Sequence, residues 1–466
     1  DEIGVYVTDI HNGDYIKLQA VDFGRMFPRT FTARVASGLR GGNIEVRIDS
    51  VGGQLLTTLN VPATGGWEKW QTLVADFKAK VVGVHDLYFT FKGRKGPKLM
   101  NFDWWEIRGV EQCNMPMTQT KFTADPSPLL VGDTLFLFAS HDASPEDIVD
   151  PNERSSAGFF MYDWLLYSTT DMVNWTEHGA VASLKDFSWR SRDNGGWAIQ
   201  TVERNGKYYL YAPLHGHGIG VLVADSPHGP FKDPLGKPLV WQREHWEDID
   251  PTVFVDDDGQ AYMYWGNPDV YYAKLNEDMI STSGPIVKLP KQQHYQEGPW
   301  CYKRNGKYYM AFASTCCPEG IGYAMSDNPT GPWTTMGYIM EPTHRSRGNH
   351  PGIIDFKGKS YVFGLNYDIL RIETAQHHER RSVSVAEMKY NEDGTIQTVP
   401  YWKDTVLEQV GTFDPYQKVE AETMAWGYGL KTAVSKKHGI YLTNINDSET
   451  LTLRGVDFGK KGAKKF

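Results

Sequence analysis

Over the first 110 residues, apolar and polar side chains alternate in short runs: Val5–Val7, Tyr15–Leu18, Phe31–Val35, Ile44–Ile48 and Leu87–Phe91. Gly, Asn and Asp separate the runs, which predicts strands joined by tight turns in a β-sandwich over residues 1–110. Part of this pattern returns near the C-terminal end. Gly439-Ile-Tyr-Leu-Thr-Asn-Ile445 matches Gly4-Val-Tyr-Val-Thr-Asp-Ile10, and Gly455-Val-Asp-Phe-Gly459 matches Ala20-Val-Asp-Phe-Gly24. Residues 411–466 therefore read as a second, truncated copy of the same module, with an opening strand at Val419–Glu422 that the first copy lacks. Two copies around a different middle segment imply a piece of a longer multi-module protein.

The middle segment, 113–410, has a period of its own. Five turn glycines each precede a β-rich aromatic run: Gly132 before Asp-Thr-Leu-Phe-Leu-Phe138, Gly206 before Lys-Tyr-Tyr-Leu-Tyr211, Gly259 before Gln-Ala-Tyr-Met-Tyr264, Gly306 before Lys-Tyr-Tyr-Met-Ala311 and Gly358 before Lys-Ser-Tyr-Val-Phe363. Successive glycines are 74, 53, 47 and 52 residues apart. One hairpin every fifty or so residues, with further strands between, is how a β-propeller blade of about four strands reads. A second motif keeps the same phase: Asp225-Ser-Pro-His-Gly-Pro-Phe231 returns as Asp327-Asn-Pro-Thr-Gly-Pro-Trp333. The predicted fold class is all-β, a five-bladed β-propeller with an N-terminal β-sandwich module and a truncated C-terminal repeat of it.

In a propeller the innermost strands line the axis, so equivalent positions converge on one funnel. Nine residues before the turn glycine lie Trp197, Asp250, Glu297 and Asn349, the last followed by His350; in the first blade Asp125 lies seven before. Asp-Pro by itself is ordinary strand-entry chemistry, because Asp accepts local N–H bonds and Pro fixes the turn. Three carboxylates in one register are another matter, since they repel and need shifted pKa values, cations or hydrogen bonds to coexist. A funnel with paired carboxylates is suited to general acid and base catalysis.

Composition narrows the partners. With 48 Lys and Arg against 57 Asp and Glu the formal net charge is −9, which argues against nucleic acid as a ligand. No stretch approaches the roughly 20 apolar residues of a membrane span. The chain has 15 Trp and 25 Tyr, flat rings for which sugars are a natural partner. Four cysteines, Cys113, Cys301, Cys316 and Cys317, make neither a disulfide scaffold nor a zinc site, and the adjacent pair is expected to be two packed thiols.

Ala124-Asp-Pro-Ser127, Asp248-Ile-Asp-Pro-Thr252 and Glu297-Gly-Pro-Trp300, in that order, resemble glycoside hydrolase family 43, five-bladed propeller enzymes acting on arabinose- and xylose-containing polysaccharides. Gly13-Asp-Tyr-Ile-Lys17, Val21-Asp-Phe-Gly24, His85-Asp-Leu-Tyr-Phe89, Asn101-Phe-Asp-Trp-Trp105 and Glu420-Ala-Glu422 resemble carbohydrate-binding module family 6. The resemblance implies an inverting glycosidase that releases L-arabinofuranosyl or D-xylosyl units from arabinoxylan, xylan or their oligosaccharides. Asp125 matches the general base, Glu297 the general acid, and Asp250 the third carboxylate, expected to keep the proton on Glu297. Trp197, His350 and Arg381 match substrate-binding positions, with Arg380 and Arg371 as alternatives to Arg381. In the first module Tyr6 and Trp67 match an aromatic pair that sandwiches a sugar, and Asn101 an amide that bonds it. No cofactor is implied for the chemistry; a structural calcium is, near His350 or on Glu420 and Glu422.

Two rivals stay open: a propeller that binds carbohydrate without catalysis, and a sialidase-like propeller. The nearest approach to a sialidase box, Ser168 to Trp175, lacks its glycine and does not recur. Specificity is expected from loops on the pocket wall, including the insert Asp142 to Asp163. The chain opens on Asp-Glu-Ile-Gly without a leader pattern, and a polysaccharide substrate implies a secreted or periplasmic enzyme whose signal peptide is not in this sequence.

Overall fold

The computed structural model describes residues 5–23, 28, 30–79, 81, 83–108, 116–144, 147–148, 158–190, 194–243, 247–344, 347–367, 380–402, 407–446 and 449–463. Two compact units divide the chain, Asp1–Gln112 and Cys113–Phe466. Strands make up both; no α-helix occurs among the described residues.

The first unit is a sandwich of two four-stranded antiparallel sheets. One has the order Val7–Ile10, Met100–Arg108, Thr30–Ala36, Gln71–Asp76; the other Tyr15–Asp22, Val84–Lys92, Gly42–Ile48, Leu55–Val61. Alternation puts Phe31, Ala33 and Val35 of the first sheet against Ile44, Val46, Leu87, Phe89 and Phe91 of the second, all buried. The first strand starts two residues later than the apolar run at Val5 suggests, and Val5 itself is exposed.

Between residues 122 and 388 the second unit holds five antiparallel sheets, each a meander. Sheet I comprises Phe122–Val131, Thr134–Asp142, Asp163–Thr169 and Trp175–Ser183; sheet II Gln200–Arg204, Lys207–Pro213 and Ile219–Ala224. Sheet III comprises Thr252–Val255, Ala261–Trp265, Tyr271–Leu275 and Thr282–Lys288; sheet IV Tyr295–Arg304, Lys307–Ser314, Glu319–Ser326 and Thr334–Thr343; sheet V Gly352–Phe356, Lys359–Asn366 and Ser382–Met388. Gly132, Gly206, Gly259, Gly306 and Gly358 each turn the first strand of a sheet into its second, all at positive φ. Asn205, Asn305 and Lys357 before three of them also have positive φ, the two-residue turn whose twist matches that of the flanking strands.

Sheets face one another across buried cores. Phe138, Trp164 and Leu166 of sheet I meet Leu210 and Leu222 of sheet II; Tyr211 and Val221 of sheet II meet Met263 and Trp265 of sheet III; Tyr264 of sheet III meets Met310 and Phe312 of sheet IV. Burial on both faces explains why these strands read as unbroken aromatic and aliphatic runs rather than alternating ones.

The first strands of successive sheets lie side by side, each tied to the next by a side chain. Ser127 Oγ accepts from Thr201 N (3.1 Å), Gln200 Oε1 from Val253 N, and Thr252 Oγ1 from Cys301 N (3.4 Å), while Trp300 Nε1 donates to Ile353 O (3.1 Å). Gly352 returns to the first sheet: a β-carbon there would stand 2.4 Å from Pro126 O.

The C-terminal segment departs from expectation. Val419–Glu422 is not a strand; the two-residue strand Thr423–Met424 follows it and pairs with Trp175 and Thr176 at the outer edge of sheet I. Beyond it, Trp426–Tyr428 pairs with Thr450–Thr452, and Lys431–Ser435 with Gly439–Thr443. So few strands cannot build two facing sheets, and the segment finds its burial on sheet I instead. There Thr432 Oγ1 donates to the buried Glu177 (2.6 Å) and Ile440 covers Gly179.

Because backbone blocks any added side chain at position 352, Gly352→Ala is expected to cost about 1–3 kcal/mol, read as a lower midpoint in urea unfolding.

Candidate active site

In an antiparallel meander the start of the first strand and the loop between the second and third strands lie at the same end of the sheet. All five sheets of the second unit present that end to one cavity of about 620 Å³, within the range of small-molecule sites. Strand entries supply Asp125, Trp197, Asp250, Glu297 and His350; second-to-third loops supply Phe159 and Met161, Asn267, the Cys316–Glu319 turn and Arg381. Four of the five register positions, Asp125, Trp197, Asp250 and Glu297, thus line one cavity; the fifth, Asn349, is buried with Oδ1 accepting from Leu365 N (2.9 Å), and His350 after it lines the cavity, as does Arg381. The carbohydrate-module candidates lie in the first unit and are described separately below.

Backbone strain aims two of the carboxylates. Asp125 and Asp250 have φ of 50° and 58°, a region that non-glycine residues seldom enter and that proline after them disfavours further. Each kink costs on the order of 1–3 kcal/mol and turns the carboxylate out of the strand. Both side chains are buried, each residue only 3% exposed.

Charge is balanced inside the cavity wall. Arg381, 3% exposed, makes a two-pronged bond to Asp142 through Nε (2.9 Å) and Nη2 (3.0 Å), and donates from Nη1 to Asp125 Oδ1 (3.1 Å). The Asp142 carboxylate also accepts the Arg381 backbone N–H (2.7 Å), and the Phe159 ring packs 4.7 Å from the guanidinium. Burial raises the Asp142 pKa, against the pull of Arg381.

His350 is the second cation. Its Nδ1 stands 3.4 Å from Asp125 Oδ1, and its Nε2 3.8 Å from Asp250 Oδ2 and 3.7 Å from Glu297 Oε1. Burial opposes its charge, but Asp250, Asp125 and Glu297 outweigh burial and lift the imidazole to about 10. Desolvation, with the nearby charges of Glu297 and Asp125, lifts Asp250 to about 7 despite His350 and an N–H from Gly298 (3.2 Å). Burial also pushes Glu297 up, yet the His350 hydrogen bond and charge, then Arg381 and the Asn267 amide, bring its carboxyl below the usual value. This corrects the expectation that Asp250 keeps the proton on Glu297. Asp250 is shifted up, by burial and the neighbouring carboxylates, and Glu297 down, by His350, Arg381 and the Asn267 amide.

Counting back from the turn glycines finds only strand entries, so it misses the loops. Asp142, Asn267 and Glu319 belong to that second set. Glu319, 1% exposed, accepts N–H bonds from Gly348 (2.7 Å) and Asn349 (2.8 Å), and so holds the loop that carries His350; burial pushes its pKa up to about 7. Asn267-Pro268, a turn signal just past an aromatic strand, could have flagged the loop end. Cys316 and Cys317 form a disulfide in the cavity wall rather than two packed thiols, because one tight turn between two strands brings both sulfurs to the same point. Arg380 donates to Ala143 O (2.9 Å) and is not among the cavity-lining residues; Arg371 and much of the 142–163 insert lie outside the described residues.

Asp250, Glu297 and His350 are the one group of three among the described residues whose ligand atoms converge, within 4.8 Å. Glu420 and Glu422 belong to no such group: Glu420 binds Lys418 at the surface, and Glu422 is buried in a small cavity with Glu177.

In the first unit, Tyr6 meets Trp70 edge-on (5.1 Å between rings), and Lys98 Nζ lies 4.6 Å from the centre of Trp67. Asn101 is buried, with its amide donating to Trp67 O and accepting from Thr8 Oγ1 (2.8 Å). It therefore holds the Trp67 loop rather than facing out.

Strained aspartates, a glutamate and two buried cations around a sugar-sized cavity define a carboxylate hydrolase site of the kind used on glycosides. Residues 116–396 match the family described as Glycosyl hydrolases family 43, and residues 2–109 match Carbohydrate binding module (family 6). The chain belongs to glycosyl hydrolase family 43. It is similar to the arabinoxylan arabinofuranohydrolase of Paenibacillus polymyxa (31% identity over 404 residues, 75% of this chain and 62% of that protein). It is also similar to a xylosidase/arabinosidase of Bacteroides ovatus (31% over 324 residues, 60% of this chain and 95% of that one). Among solved structures, the Bacillus subtilis arabinoxylan arabinofuranohydrolase in complex with cellotetraose aligns with TM-score 0.64 and 28% identity, over 75% of this chain and 81% of that one.

Two outcomes are expected from these charges. Arg381→Met strips Asp142 and Asp125 of their shared cation and is expected to cost about 3–5 kcal/mol in urea unfolding. Asp250 has a higher pKa folded (about 7) than its ordinary 3.8, so its contribution to stability falls as pH rises through that window. Unfolding midpoints measured across the window should fall less steeply in Asp250→Asn than in the wild type.

Proposed function

We propose that this chain is an inverting glycosidase that removes L-arabinofuranosyl or D-xylosyl units from arabinoxylan or xylo-oligosaccharides. The observation that carries the mechanism is the His350 ring, with Asp125 at one nitrogen and Glu297 at the other. A ring between them suits the roughly 6.5–9.5 Å separation that leaves room for an attacking water, rather than the ~5–5.5 Å of a nucleophile and acid pair. Asp125, hydrogen-bonded to Arg381, takes a proton from water as the oxygen attacks the anomeric carbon. Glu297, protonated from Asp250, gives that proton to the departing glycosidic oxygen; Asp125 then releases its proton to solvent and Asp250 takes one up. Asp250 is the neighbouring carboxyl that holds a proton near neutral pH and supplies Glu297. Trp197, tilted on His215 (4.1 Å between rings), offers a sugar face.

The five sheets serve as the five blades of a propeller; side-chain ties between neighbouring first strands, and the return of Gly352 onto Pro126, support that count. Residues 1–110 are the sugar-binding module, with Tyr6 and Trp67 as its rings and Asn101 positioning Trp67. Residues 411–466 are part of a second such module. The chemistry uses side chains alone. A calcium ion would be held by the carboxylate oxygens of Asp250 and Glu297, beside a neutral His350 ring, and would supply the charge the imidazolium otherwise carries. No helix among the described residues is long and apolar enough to cross a membrane, and a polymer that cannot enter a cell is met by a secreted or periplasmic enzyme.

Paired nitrophenyl arabinofuranoside and xyloside assays identify the sugar. Asp125→Asn should lower kcat by about 10²–10⁴-fold for every leaving group, and Glu297→Gln much less for nitrophenolate than for a sugar. Proton NMR of the fresh product should show the anomer opposite to the substrate; the retained anomer appearing first would overturn the mechanism.

A further inference from the structure

We propose that the Cys316–Cys317 disulfide is a binding platform for the saccharide on the leaving-group side of the cleaved bond, an inference that rests on the glycosidase reading above. The two residues form the tip of the turn between strands Lys307–Ser314 and Glu319–Ser326, are exposed, and line the cavity. Glu297 pairs with Ala313 across the sheet and Tyr295 with Ser314, so the turn rises directly beyond the acid. A group that protonates the leaving oxygen has the leaving sugar beside it, and the disulfide stands on that side.

The turn is pinned at both ends. Thr315 N donates to His294 O (2.8 Å) and Gly320 N to Ser314 Oγ (2.8 Å), while the adjoining Glu319 carboxylate is bound to Gly348 N and Asn349 N. A platform held this way loses little freedom when a ligand arrives. Chemically it is soft, polarizable sulfur without a strong donor or acceptor, suited to the apolar C–H face of a pyranose ring rather than to its hydroxyls. Trp197, from sheet II, lines the same cavity as an aromatic surface.

The test compares two substrates with the same transferred sugar: an oligosaccharide, whose leaving group is a pyranose, and the glycosyl fluoride, whose leaving group has no ring. In the Cys316→Ser/Cys317→Ser variant the ratio of kcat/KM for oligosaccharide over fluoride is expected to fall about tenfold. A second arm needs no variant. Dithiothreitol reduces the bond to two thiols, itself closing to a cyclic disulfide, and the same fall in ratio should follow; alkylation mapped by peptide mass should label Cys316 and Cys317 only after reduction. An unchanged ratio, or labelling of both cysteines in the unreduced native enzyme, would overturn the platform alone. A wild type inert towards both substrates would overturn the glycosidase reading and the platform with it.

Discussion

Arg381 is the interaction on which the site depends. Its guanidinium is spent on two carboxylates at once, Asp142 behind it and Asp125 in front, all three nearly removed from water. Buried carboxylates this close to one another would otherwise take up protons or push apart. With Arg381 in place Asp125 has a cation as neighbour, the state a base needs. His350 does the same for Glu297 and Asp250, and the two cations together let several acids share one wall.

That balance is also what separates three chemically similar groups. Asp125 has Arg381 at hydrogen-bonding distance, Glu297 has the Asn267 amide and Asp250 one backbone N–H, while the same His350 Nε2 stands 3.7 Å from Glu297 and 3.8 Å from Asp250. Burial, with the charges of Glu297 and Asp125, raises Asp250, while His350, Arg381 and Asn267 bring Glu297 down. Division of labour among the carboxyls thus follows from how many partners each has, not from the residue type.

The fold makes such a wall available because each of the five sheets between residues 122 and 388 is a meander with the same end turned to the cavity. Strand entries bring strained Asp-Pro kinks, and second-to-third loops bring residues that need not resemble one another. Repetition therefore fixes the place of the cavity, while the loops fix its chemistry. The C-terminal segment shows the opposite case: with too few strands for a sandwich it borrows an edge of sheet I, and Glu422 is buried beside Glu177.

The sequence by itself determined the all-β class, the five hairpin turns and the register that puts Asp125, Trp197, Asp250 and Glu297 on one cavity, with His350 one residue past its register position, because turn chemistry and strand periodicity are local and repeat along the chain. It did not reveal Asp142, Asn267 or Glu319, whose loops share no motif and whose roles arise only from contact with distant residues. It expected Glu297 to be the carboxyl shifted up, where the folded protein shifts Asp250 up and Glu297 down, since proton affinity depends on burial and on neighbours a hundred or more positions away. It left Cys316 and Cys317 as thiols and Val419–Glu422 as a strand. Covalent pairing and strand pairing both require partners to meet in space, and that only the tertiary structure decides.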